Sequence, residues 1–376
     1  MNFDFTDEQN LLRDSIAKWA AGQYDFEKRR AALASPDGWK KNWATFAELG
    51  LLAAPIAEEH GGLGGGPLDT LVIMEEFGKA LVTEPFLQTA IIGANALKHA
   101  GSDAQKDEHL PAIAGGERII AFAQAEPKSR WALEAIATTA KKDGAGYTLN
   151  GQKSVVIGAP QADHLLITAR TGGGEREAKG VSLFLVPKNA KGVVTRDYPT
   201  VDDFRASEIY FENVALSIEH RLGGEGEALP VIERIVDEAN AALCSEAVGA
   251  LRLMHSLTLE YSRTRKQFGR AIGEFQVLQH RLVDMFMEVE ESVSMALLAT
   301  LKLDTPERAK HVSAAKVRIG RAIRFVGQAA IQTHGGMGVT DEMRVGHYFK
   351  RATMIDAQFG NADHHLKRYM ALSKAA

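Results

Sequence analysis

The stretch D-A-Q-F-G-N-A-D-H-H, Asp356 to His365, places an acid, a glycine turn and two adjacent histidines in one short run. Such residue types serve metal binding or proton transfer. Metal binding needs ligands that converge, but adjacent histidines diverge on a helix. No H-x-x-x-H spacing and no cysteine pair completes a set, so no metal is expected from Asp363, His364 and His365. A second run, E-E-H-G-G-L-G-G-G-P from Glu58 to Pro67, invites comparison with a phosphate loop. It lacks the preceding strand and the G-x-G-x-x-G spacing, so it reads as a turn between helices. Two further segments hold residue types that binding chemistry uses, although Arg265 taken alone reads as a surface ion pair. Arg265, in R-K-Q-F-G, offers a planar fork suited to a paired anion. Gly335, Gly336 and Gly338, in Q-T-H-G-G-M-G, let backbone N–H groups come close to a ligand. Gln276 and Gln332 can each donate and accept hydrogen bonds. Glu238, beside Asp237 and Glu233, reads by itself as a solvated charge near a helix start.

These residues need elements to position them. The first third of the chain reads as helical. Thr6 followed by Gln9 is a capping-box pattern, and L-L-R-D-S-I-A-K-W-A continues the helix. Another helix covers Trp39 to Leu49 and stops at Gly50. From about residue 119 the pattern changes to short β-rich runs, with Asp143-Gly144 and Asn150-Gly151 as turn signals. H-L-L-I-T-A-R, V-S-L-F-L-V-P and A-S-E-I-Y-F-E-N-V follow. Beyond them Leu243, Ala247, Ala250, Met254, Leu257 and Tyr261 recur at helical spacing, as do Leu278, Leu282, Met285, Val289, Val293 and Ala296. A third long helix is expected from about Pro306 to Gln332. The stripes predict a near-antiparallel bundle. The fold class is therefore α+β, mainly α: a helical domain over 1–119, a small β domain over 120–222 and a helical bundle over 223–376.

Composition bounds the function. The chain has 376 residues, 45% hydrophobic and 24% charged, too long for one core and ordinary for a globular protein. The net charge of -4 and the lack of a basic run give no footprint for nucleic acid. Cys244 is the single cysteine, so no internal disulfide is possible, which suits a cytoplasmic setting. The N-terminus M-N-F-D-F-T-D-E-Q has no apolar signal core, and no run of about 18 apolar residues predicts a membrane span.

Helices, a small β domain and a helical bundle, in that order, resemble the acyl-CoA dehydrogenases, which are FAD flavoproteins. The motifs that carry the resemblance are R-K-Q-F-G (265–269), F-Q-V-L-Q (275–279) and Q-T-H-G-G-M-G (332–338), supported by F-T-D-E-Q, E-E-H-G-G-L-G and Y-T-L-N-G-Q-K. The resemblance implies a small middle β-barrel and a C-terminal four-helix bundle. It implies that Arg265, Phe268, Gln276, Gln332, Gly335 and Gly336 line the adenosine and pyrophosphate half of an FAD shared across a subunit interface.

Other positions depart from the family pattern. Where relatives read T-E-P-G-A-G-S-D beside the flavin ring, this chain reads A-E-P-K-S-R-W-A, with Ala125 for the threonine and Trp131 for the serine. The expected W-I-T is Val155 to Ile157. The usual Y-E-G-T of the closing loop is Q-F-G-N, so Phe359 holds the place of the glutamate that takes the α-proton. A minority of relatives carry that glutamate on the first long bundle helix, at a position equivalent to Ala239. Glu238 is adjacent, but one residue is about 100° around a helix, so it is the substitute candidate only if the helix is rotated there. Asp363 falls where some relatives have a flavin-contacting glutamine. The intact tail motif and the altered ring site resemble the smaller subunits of heteromeric α2β2 enzymes of the pimeloyl-CoA and dicarboxylyl-CoA type. The resemblance thus implies α,β-desaturation of an acyl-CoA to a 2-enoyl-CoA, with a homologous large subunit and an electron-transfer flavoprotein as partners. One alternative is a homotetramer in which Glu238 or a substrate carboxylate replaces the missing base, with Lys128 and Arg130 reading an anionic acyl end. The other is a scaffold or acyl-CoA-binding protein that kept the fold without the chemistry.

Overall fold

The computed structural model of the chain describes residues 4–374. Two compact units are present. One comprises Met1–Ser35, Pro67–Val82 and Asn240–Ala376, and the other Pro36–Gly66 and Thr83–Ala239. The first three residues of the N-terminal stretch discussed above lie outside the described residues.

The helical signals act as expected at their ends. Thr6 Oγ1 accepts the Gln9 N–H at 3.2 Å, and Gln9 Oε1 accepts the Thr6 N–H at 3.1 Å. This reciprocal cap starts the helix Asp7–Gln23, whose Ile16 and Trp19 are buried. The helix Trp39–Glu48 ends where Gly50 takes a left-handed conformation (φ 71°). The glycine run is a tight turn whose amides are already used. Gly62 N–H donates to Ala57 O at 3.1 Å, Gly64 N–H to Ile56 O at 2.8 Å and Gly65 N–H to Ala54 O at 2.8 Å. With these donors turned inward, the loop has no cradle for a phosphate.

The sheet belongs wholly to the second unit. Its strands are β1 (Ile120–Ala123), β2 (Thr139–Asp143), β3 (Gly146–Ile157), β4 (His164–Arg170), β5 (Val181–Pro187), β6 (Val193–Pro199), β7 (Arg205–Ser217) and β8 (Arg221–Leu222). They run in the order β6-β7-β3-β2-β4-β5-β8, with β1 parallel to β4. The end strands β6 and β8 do not pair among the described residues, so the expected barrel is instead an open sheet. β8 is only two residues long, so that edge offers too short a ladder for β6 to close on.

One predicted turn is also corrected. Asp143 and Gly146 do close the β2–β3 hairpin, but Asn150-Gly151 lies inside β3, at a shift of register against β7. Gly151 has φ 147°, and a Cβ there would stand 2.6 Å from Thr138 Cα. This glycine serves a bulge and a close backbone approach, the other use of glycine in a strand.

The bundle comprises the helices Leu229–Thr264, Gln276–Leu301, Arg308–His334, Arg344–Ala357 and Ala362–Lys374. The predicted stripes are its buried rows: Leu243, Ala247, Ala250 and Met254 on the first, and Leu282, Met285, Val289 and Ala296 on the second. Among the described residues no helix is long and apolar enough to cross a membrane.

Candidate functional site

The tail motif occupies one end of the bundle. The helix Leu229–Thr264 stops as Arg265 N–H donates to Tyr261 O at 2.8 Å. The chain then makes a small hairpin, Arg270 opposite Gln267, turned by Phe268 (φ 55°) and Gly269 (φ 82°). Phe268 stands 93% exposed at its tip, edge-on to Phe275 at 6.2 Å. Gln276 begins the next helix. The helix Arg308–His334 ends at Gly335, whose φ of 62° and ψ of -144° suit only glycine. The Tyr261 and His334 rings stack at 4.4 Å, so the ends of these two helices are neighbours. Arg265, Phe268, Gln276, Gln332, Gly335 and Gly336 are all exposed. A Cβ built on Gly335 or Gly336 would meet nothing within 4 Å. The backbone there is open to a ligand, and these residue types fit an anionic nucleotide tail.

The loop that carries Phe359 is held from beneath. Lys316 is 2% exposed and donates to Ile355 O at 2.8 Å and Gln358 O at 2.9 Å. Burial pulls its pKa down to about 8. Asp356 Oδ1 accepts the Ala362 N–H at 3.1 Å, and burial raises the pKa of its carboxyl. His365 Nε2 lies 3.2 Å from Phe359 O, which fixes the ring proton on that nitrogen. Burial, together with the charges of Lys316 and Arg368, lowers the His365 pKa to about 2, so the imidazole stays neutral. Phe359 itself is left-handed, at φ 54°. The acid and histidines that drew attention in the sequence therefore shape the loop. Among the described residues, no group of three or more His, Cys, Asp or Glu could hold a metal ion.

In the sheet unit, the segment beside the expected flavin ring offers few donors. Val155 is 48% exposed with φ 52°, an unusual conformation for a β-branched residue. It lies at a shift of register between β3 and β7, where its N–H donates to Glu208 Oε1 at 3.2 Å. Val156 faces the core at 1% exposure. Ala125 O accepts the Ser154 N–H at 2.8 Å, which ties the two segments together. Beside Ala125, the Gln124 side chain is buried, and its Nε2 has no hydrogen-bond partner. Under the same segment, fully buried Lys153 donates to Glu126 Oε1 at 2.7 Å and to Thr168 Oγ1 at 3.0 Å. Burial lowers the Lys153 pKa to about 8.

Glu238 is not the solvated charge that its neighbours suggested. It is 8% exposed, and its Oε1 lies 2.9 Å from His99 Nε2 and 3.0 Å from Arg234 Nε. Its Oε2 is buried without a partner. Ala239, where the resemblance leads us to expect the relocated acid of some relatives, is fully buried. His99, Gln124 and Lys316 escaped notice in the sequence. Only Lys316 left a signal there, as a lysine on the apolar row Val312, Ala315, Ile319 and Ile323.

Comparison with known proteins agrees with this architecture. The chain matches the acyl-CoA dehydrogenase N-terminal domain over residues 6–117, the middle domain over 121–214 and the C-terminal domain over 229–371. It belongs to the acyl-CoA dehydrogenase family. It is 28% identical over 375 residues to the probable acyl-CoA dehydrogenase YngJ of Bacillus subtilis, covering 96% of this chain and 97% of that one. Among solved structures, the FAD complex of PigA is 27% identical, with a TM-score of 0.91 and full coverage of both chains. The ChsE4-ChsE5 complex from Mycobacterium tuberculosis shares the fold at a TM-score of 0.91 and 24% identity, again over the full length of both chains.

Proposed function

We propose that this chain is one subunit of a two-subunit, FAD-dependent acyl-CoA dehydrogenase, and that it lends the adenosine and pyrophosphate half of its partner's cofactor site. One contrast carries the reading. The open tail motif presents Arg265, Gln276, Gln332 and two bare glycines, while the loop that bears the acid in relatives presents Phe359 on a fixed backbone. Arg265 would grip the pyrophosphate through a charge-assisted fork, and Gln332 and the Gly335–Gly336 amides would complete the cradle. FAD, when bound, supplies the hydride acceptor. The partner would supply the carboxylate that removes the α-proton, giving a 2-enoyl-CoA from the acyl-CoA. Electrons would leave to an electron-transfer flavoprotein. The test is flavin content. The chain purified alone should carry little FAD, and co-expression with the reading frames beside its gene should yield a flavin-bearing complex. Stoichiometric FAD and acyl-CoA turnover from the lone chain would reject the proposal.

Two observations favour a second reading, a homotetramer with its own flavin site. Glu238 keeps one carboxylate oxygen unpaired, as a proton acceptor requires, and Gln124 keeps an unpaired buried donor beside Ala125. On this reading Glu238→Gln abolishes turnover while the fold and flavin content survive. Unchanged turnover in that variant removes it.

A further inference from the structure

Next to the tail motif lies a cavity of about 650 Å³, wholly within the bundle unit. Its walls include Asp25, Glu27, Glu260 and Glu342, against a single cation, Arg344. Asp25 pairs with Lys28 at 2.8 Å and Glu27 lies 3.9 Å from Arg30, but Glu260 and Glu342 have no ion-pair partner among the described residues. The floor is aromatic, with Tyr261 stacked on His334. His334 is 3% exposed, and its Nδ1 lies 2.8 Å from Ala330 O. A carbonyl accepts, so the proton sits on Nδ1 and leaves Nε2 as a lone pair. That nitrogen has no partner among the described residues, and burial lowers the ring's pKa, keeping it neutral. The cavity thus combines unpaired carboxylates, an unpaired ring nitrogen on the largely buried His334 and aromatic faces. A guanidinium meets all three needs: positive charge, several N–H donors and a plane that stacks.

Position adds a second argument. Thr264 and His334 line the cavity, and Arg265 and Gly335 are the next residues along the chain. Consecutive Cα atoms are about 3.8 Å apart, well inside a Debye length of about 8 Å at physiological salt. A pyrophosphate on the tail motif would therefore feel this acidic cavity unless cations filled it. We infer that the cavity receives an arginine-bearing segment of the partner subunit, which neutralises the acids as the shared cofactor tail is enclosed. This rests on the two-subunit reading.

The direct probe is the peptide acetyl-Arg-Gly-Arg-amide, titrated into the purified chain by calorimetry at physiological salt. Saturable one-to-one binding is expected, weakened about tenfold or more by Glu260→Gln or Glu342→Gln. Glu227→Gln, in the sheet unit, is the control for non-specific attraction and should leave the affinity unchanged. No saturable binding, or equal losses in all three variants, would overturn the inference. In the co-expressed complex, Glu260→Lys with Glu342→Lys should sharply reduce recovery of the partner, and undiminished recovery would also overturn it. A wild-type chain that recovers no partner but holds its own FAD would instead reject the two-subunit reading.

Discussion

Phe359 sits on a turn whose backbone is fixed from two sides. Its carbonyl is held by His365, and those of residues 355 and 358 by Lys316, so the turn is fixed whatever side chain it carries. Gly360 completes the turn at φ 117°, and a Cβ there would stand 2.5 Å from His364 Cδ2 and 2.8 Å from His365 Nε2. Gly360→Ala should therefore destabilise the fold by about 2–4 kcal/mol through backbone strain and overpacking. A urea unfolding curve measures this, and a loss below about 1 kcal/mol would mean that the loop is looser than its hydrogen bonds imply. The phenylalanine at this turn was legible in the sequence, because the residue type is written there. The support was not. The partners of the turn are a lysine on another helix and backbone carbonyls, and carbonyls carry no sequence signature.

At the scale of elements, period and caps were legible, and closure and pairing were not. The capping box at Thr6 and the apolar rows of the long helices depend on residues close in sequence. Whether the sheet closes depends on how its two end strands meet, which no local pattern encodes. Asn150-Gly151 shows the same limit, since its glycine answers to Thr138 across the sheet and not to its chain neighbours. Lys153 is the element-scale counterpart of Lys316. It joins β3 to Glu126 beyond β1 and to Thr168 on β4, with no exposure of its own. Burial opposes the charge on Glu126, but Lys153 and the Ala137 and Thr138 amides overcome it and hold the carboxyl below its ordinary pKa. Removing one member strands the other. Lys153→Met should cost about 3–5 kcal/mol, whereas the double change Lys153→Met with Glu126→Gln should cost less than the sum of the two single changes. A double-mutant cycle checks this, and additive losses would show that the pair is not coupled.

For the whole molecule, the buried bases tilt stability in one direction, while the buried acids Cys244 and Asp356, whose pKa values burial raises, oppose them as pH rises. Burial lowers the pKa of His109 to about 4 and that of His365 to about 2, both below the ordinary histidine value of 6.5. Below pH 6.5 the unfolded chain therefore binds protons that the folded chain refuses, and stability falls as the solution is acidified. Lys153 and Lys316 act alike at the other end. Their folded pKa values of about 8 lie below the unfolded 10.5, so the unfolded chain keeps protons between those values that the folded chain has released. In that window their contribution grows as pH rises. The four groups together favour the folded chain toward alkaline pH, although the net charge at pH 7 is only -4 and by itself suggests no such bias. Between pH 6.5 and 4.5 His365 should account for a loss on the order of 2 kcal/mol, and His109, nearer to solvent and beside Arg118 and His164, for less. Urea midpoints measured across that range should fall steeply for the wild-type chain. They should fall less for His109→Gln with His365→Gln, because glutamine does not titrate and can still donate to Phe359 O. Equal slopes in the two proteins would show that these imidazoles are open to water and protonate in the folded chain.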